Sequence, residues 1–172
     1  MNQNKRESVE DYLLYLENKG IEKGYFDLQS IKDIDKSCCT EARTMVIDFD
    51  KTKEKLVAQS KLVTTKSCDC LKIRPHKQCL DLIEIKGFAE SLKYYRGAKI
   101  DEKLTENVKK FDLEKKIEDS LHLLETLVRK EEFQRNNADA QFFRETKIND
   151  KTIIFLSKNA FIFTNSILFK NI

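Results

Sequence analysis

Residues Ser67 to Gly87 read S-C-D-C-L-K-I-R-P-H-K-Q-C-L-D-L-I-E-I-K-G. Two β-type runs, Cys68–Ile73 and Cys79–Lys86, flank the connection Arg74-Pro75-His76-Lys77-Gln78. A five-residue connection suits an antiparallel hairpin, and its proline cannot lie in a central strand. Side chains alternate faces along a strand. Leu80, Leu82, Glu84 and Lys86 therefore share one face of the second run, and Cys79, Asp81, Ile83 and Ile85 the other. In the first run Asp69, Leu71 and Ile73 share a face. A hairpin brings Asp69 and Glu84 together at the ends farthest from the turn, with Lys86 beside Glu84.

Working outward, Ser8 to Lys19 predicts a helix. Val9, Tyr12, Leu13 and Leu16 recur at helical spacing, Ser8 can cap the start, and Gly20 is expected to end it. Ile21 to Asp35 reads as either a helix or a packed loop. Arg43 to Phe49 predicts a strand, and its aspartates Asp48 and Asp50 read as strand-end acids in a solvated turn. Paired aspartates after an apolar run also occur in phosphoryl-transfer enzymes with an aspartyl nucleophile, but the loop and distant motifs that chemistry needs are not found here. Lys51 to Lys66 predicts a turn or short helix followed by extended chain. Beyond the hairpin, Gly87 to Lys103 is less regular. A long, charge-rich helix is expected from about Thr105 to Arg135, with Phe111, Ile117, Leu121, Leu124 and Val128 along its apolar face. Thr152–Leu156 and Ala160–Phe169 predict two closing strands around Ser157-Lys158-Asn159. The expected fold class is α/β or α+β, a mixed central sheet packed on at least one helix.

The chain has 172 residues, of which 35% are charged and 40% hydrophobic. That suits a single domain, 1–172, with a core over about 8–135 and the C-terminal strands at about 151–170. The net charge of +3 is too mild to imply nucleic-acid binding by itself. No apolar run approaches the roughly 20 residues that span a bilayer, so no membrane contact is expected. Met1 to Glu10 is polar and has no apolar signal region, which points to a cytoplasmic protein with reduced cysteines. The five cysteines, at irregular spacing, do not form a disulfide framework.

The acid pair carries the chemistry. Two carboxylates close together repel, and a hard divalent cation such as Mg²⁺ or Mn²⁺ relieves that repulsion. A neighbouring lysine can hold a water or neutralise charge developing on a phosphate. The same Glu-x-Lys triplet could instead be an ordinary cross-strand ion pair, although its frame L-D-L-I-E-I-K-G is apolar on both faces. An aspartate opening one strand, a hairpin, and an apolar strand ending in Glu-x-Lys resembles the PD-(D/E)XK nuclease superfamily, through Asp69, Glu84 and Lys86. The resemblance covers roughly residues 8 to 135. It departs at Cys68, where the family has proline. It implies an αβββαβ restriction-endonuclease-like core and Mg²⁺- or Mn²⁺-dependent cleavage of DNA or RNA. It assigns Asp69, Glu84 and Lys86 as catalytic, and Asp69 and Glu84 as metal ligands. A further acid near the first helix is implied as a third ligand, Glu41 in preference to Glu10. Lys116 and Ser120, bordering the apolar stripe of the long helix, could face the site.

Two other classes compete. Cys68, Cys70, His76 and Cys79 could hold a structural zinc, with Cys68 and Cys70 expected on one face; the alternative is buried, reduced thiols. A nuclease-like fold could also serve as a non-catalytic assembly module, with the long helix and the C-terminal strands as its surface. Tyr94, Tyr95 and Arg96 could stack on bases or cover the edge of a core. The partners expected are a nucleic-acid substrate, a protein partner or regulator for recruitment, and a second copy of the chain in a homodimer.

Overall fold

The computed structural model describes residues 9–34, 43–59, 66–87, 112–134, 148–156 and 160–168, with positions 99, 102, 105, 106 and 110 between them. At 86–87, 148–156 and 160–168 the description is of backbone only. Helix α1, Val9–Glu22, buries Val9, Tyr12, Leu13 and Leu16 on one stripe, the spacing seen in the sequence. Gly20 does not end it. The helix runs on to Glu22 and stops at Gly24, whose φ of +71° is the left-handed conformation that glycine adopts without strain. The Gly24 N–H donates to the Ile21 carbonyl and the Tyr25 N–H to the Gly20 carbonyl, the paired bonds of a Schellman terminus.

The ambiguous stretch that follows resolves into a short strand, β1 (Leu28–Ser30), and a single helical turn, α2 (Ile31–Ile34). Strand β2, Met45–Asp48, leads directly into helix α3, Phe49–Gln59. Asp48 caps that helix: its Oδ1 accepts the Lys51 N–H at 3.2 Å. Strand β3 is Cys70–Arg74 and strand β4 is Cys79–Gly87, joined by a tight 3₁₀ turn over Pro75–Lys77 and by Gln78 at φ 50°. Helix α4, Leu113–Val128, is shorter than the predicted helix of about Thr105 to Arg135: Asp112 takes a left-handed conformation before it, and a 3₁₀ turn over Glu131–Phe133 follows it. Strands β5 (Ile148–Leu156) and β6 (Ala160–Leu168) follow.

The six strands form one sheet in the order β1-β2-β3-β4-β6-β5. Strands β2, β3 and β4 are neighbours, as the sequence predicts. The class is α+β, but the expected mixed sheet is not what forms: every described pairing is antiparallel. The connections explain this. Asp48 at the end of β2 faces Cys70 at the start of β3, so the chain leaves and returns at the same end of the sheet. The β5–β6 connection, residues 157–159, is far shorter than the dozen or so residues a parallel crossover needs.

Alternation along the strands divides the interior into two clusters. Ile47, Leu71, Ile73, Leu80 and Leu82 face α1 and α4, and join Leu123, Leu124, Leu127 and Val128 in the larger core. Val46, Cys70, Ile83 and Ile85 face the other way, against Ile31. Each fully buried leucine or isoleucine contributes about 1.5–3 kcal/mol. The stripe of α4 is centred slightly off the predicted one. Leu123 and the polar Ser120 are fully buried, while Ile117 and Leu121 pack at its margin. No helix among the described residues is long and apolar enough to cross a membrane.

Candidate functional site

The candidate site forms where β3 begins and β4 nears its end. The last registered pair at this end of the hairpin is Cys70↔Ile83; Asp69 and Glu84 are the next residues along the two chains. Asp69 lies in a bend just before β3 rather than inside it. Its Oδ2 accepts the Ile85 N–H at 2.6 Å, so a side chain continues the ladder where the main chain of β3 turns away. This is a charge-assisted bond. The Phe49 N–H donates to the Asp69 carbonyl at 3.0 Å, which fixes the start of α3 against the same point.

Glu84 shares the face of Leu80 and Leu82 and is 1% exposed. A carboxylate this deep is strongly disfavoured unless a cation accompanies it. Lys116 of α4 supplies one: its Nζ donates to Glu84 Oε1, with 17% of the lysine side chain left exposed. One turn along the helix, the buried Ser120 Oγ accepts the Cys68 N–H at 2.9 Å. Asp119 Oδ2 accepts the Lys66 N–H at 3.1 Å, and Lys66 Nζ reaches Asp112 at 2.8 Å. Helix α4 is thus pinned to the chain entering β3 at three points, with Lys116 held over Glu84. Both α4 residues that the sequence nominates, Lys116 and Ser120, therefore reach the site. Their signal was position beside the apolar stripe.

A second polar group borders the same segment. Asp50 Oδ1 accepts from Ser67 Oγ at 2.7 Å and from Lys53 Nζ at 2.6 Å. The sequence treats Asp50 as a solvated turn acid and gives no warning of this contact, because Ser67 lies 17 residues away. Burial first, then Asp69, Asp48, Asp50 and Glu84, push the Cys70 thiol far above its ordinary range.

The other nominated residues are dispersed. Glu10 sits at the opposite end of the hairpin, bonded through Oε1 to His76 Nδ1. Glu41 lies outside the described residues, as do Tyr94, Tyr95 and Arg96. The Lys86 backbone pairs with Phe161, and its side chain is likewise outside them. The bend at Asp69 breaks the alternation, so Cys68 joins the larger core and Cys70 the smaller one, not a shared face. Cys79 is at the hairpin's turn end, opposite Arg74. Among the described residues no three of His, Cys, Asp and Glu gather as a metal cage. Asp69 and Glu84 nevertheless suit Mg²⁺ or Mn²⁺ in donor type and charge, since Mg²⁺ commonly keeps several waters and takes only one or two protein carboxylates. No protein-family model, curated protein or solved structure matches the chain.

Proposed function

We propose that the chain is a metal-dependent phosphodiesterase that cleaves nucleic acid. What supports this reading is the nearness of two acids at one end of β3 and β4: Asp69 is bonded through Oδ2 to the Ile85 N–H, next to Glu84 in β4. Asp69 and Glu84 would hold Mg²⁺ or Mn²⁺, which supplies Lewis-acid stabilisation of charge on a phosphoryl oxygen. Lys86, two residues beyond Glu84 in β4, would orient the attacking water. With a net charge of only +3, recruitment to DNA or RNA would draw on a partner protein. A homodimer would supply the two single-metal sites that cutting a duplex needs. Light scattering that finds a monomer at micromolar concentration opposes this part of the proposal.

The test is a nuclease assay on single- and double-stranded DNA and RNA with Mg²⁺ or Mn²⁺. The wild type is expected to cleave. Lys86→Ala and Glu84→Gln, checked for folding by circular dichroism, should each lose about a hundredfold or more in rate. Cleavage that survives both changes removes the reading. A specific observation favours one alternative. The Glu84–Lys116 pair is buried and already charge-balanced, which is what a non-catalytic assembly module would retain. Under that alternative, neither the wild type nor the variants cleave.

A further inference from the structure

We infer that the Lys116 ammonium is a built-in counterion of the site, and that a divalent cation reaches Glu84 only by displacing it. The inference rests on the metal reading above and concerns how that site is regulated. Lys116 Nζ occupies Glu84 Oε1 in a setting where Glu84 is 1% exposed and the lysine side chain 17% exposed. A carboxylate oxygen held by an ammonium at contact distance offers much less to a metal ion. The two cations compete for one buried anion, and their mutual repulsion disfavours holding both.

The anchoring of α4 shows how the competition is set. The Ser120–Cys68, Asp119–Lys66 and Asp112–Lys66 contacts hold the helix beside the chain entering β3. Lys116 lies on the same helix, between Asp112 and Ser120, so it is presented to Glu84 by a fixed support. Asp69, whose Oδ2 is bonded to the Ile85 N–H, stays in place in either state. Displacement therefore needs only a swing of the long, flexible lysine side chain. Any ligand that draws Lys116 outward would open the site to metal. A phosphate of the substrate backbone has the charge to do so, and that would couple metal loading to substrate arrival.

The experiment is a Mn²⁺ titration of the full chain by calorimetry. It compares the wild type with Lys116→Met, which removes the charge, and Lys116→Gln, which removes the charge but keeps a donor for Glu84. Both variants are expected to bind Mn²⁺ at least about tenfold more tightly than the wild type, because the competing charge is gone. Lys116→Arg should resemble the wild type. Adding Glu84→Gln to Lys116→Gln should abolish the gain. If Lys116→Met does not fold, Lys116→Gln carries the comparison. Equal affinity in the wild type and Lys116→Gln overturns the inference, as does weaker binding in Lys116→Gln. The outcome separates from that of the function: tighter binding without cleavage by any form keeps the counterion and removes the nuclease, whereas wild-type cleavage with unchanged affinity does the reverse.

Discussion

Glu84 and Lys116 show what a buried charge asks of its neighbours. Removing both ions from water costs several kcal/mol each, and their attraction repays this only while both are present. Lys116→Met is therefore expected to cost about 3 kcal/mol, because it takes a cation away from a buried carboxylate. The double change Glu84→Leu with Lys116→Leu should recover most of that loss in urea melts. A double variant no more stable than the single one would show that the pair is not coupled. The thiols give a second expectation. Burial, only partly offset by the Ser120 hydroxyl, raises the Cys68 thiol from 9.0 to about 12. Burial raises Cys70 further and Cys79 in the same direction. Tyr25 is lifted from 10.0 to about 12, by burial and then by Glu132. In each case the native state keeps its proton and the unfolded chain loses it sooner. This contribution is complete below about pH 9 and is lost as pH rises towards about 12. Stability measured by denaturant should fall across that window. Replacing Cys68 with alanine should shrink the slope.

At the scale of elements, the two glycines around the end of α1 have different roles. Gly20 is packed: a Cβ there would lie 2.1 Å from Cδ2 of Phe26, a buried ring. Gly20→Ala should cost about 1–3 kcal/mol through overpacking. Gly24 has open space, and its cost is the left-handed backbone, about 1–2 kcal/mol for alanine. Thermal melts of the two variants test both, and a Gly20→Ala protein as stable as the wild type would refute the packing account. The same region shows where sequence reasoning stops. A glycine after an apolar stripe signals a helix end, but close approach of Phe26 is a tertiary fact that no local spacing carries. The β3–β4 hairpin and α4 were legible because periods of 2 and 3.6 are written in neighbouring residues. Strand β1 was not, since three residues hold too little alternation. The Asp69 bend hid the parting of Cys68 from Cys70. At the site, hairpin geometry brought Asp69 to the end of β4 that carries Glu84, where it bonds the Ile85 N–H, and helix periodicity brought Lys116 and Ser120. The Asp50–Ser67–Lys53 group joins distant segments and left no such trace.

For the molecule as a whole, the question is whether the C-terminal strands are an appendage or part of the core. The sequence separates a core of about 8–135 from strands at about 151–170. In the folded chain β6 pairs with β4 over nine consecutive positions, from Cys79↔Leu168 to Gly87↔Ala160. Strand β4 is buried on both faces, with Leu82, Ile83, Glu84 and Ile85 each at most 5% exposed. A chain ending at residue 134 would leave that strand as an edge, with a nine-residue row of backbone donors and acceptors unpaired. Such an edge, long and apolar, invites pairing with other chains. The truncated protein 1–134 is therefore expected to aggregate or to melt without a cooperative transition. It should also lose the Glu84–Lys116 contact, because Glu84 lies opposite Phe163 in that ladder. Calorimetry and light scattering decide it. A truncated chain that stays monomeric and melts cooperatively near the wild-type temperature would show that the site stands on β3, β4 and α4 alone.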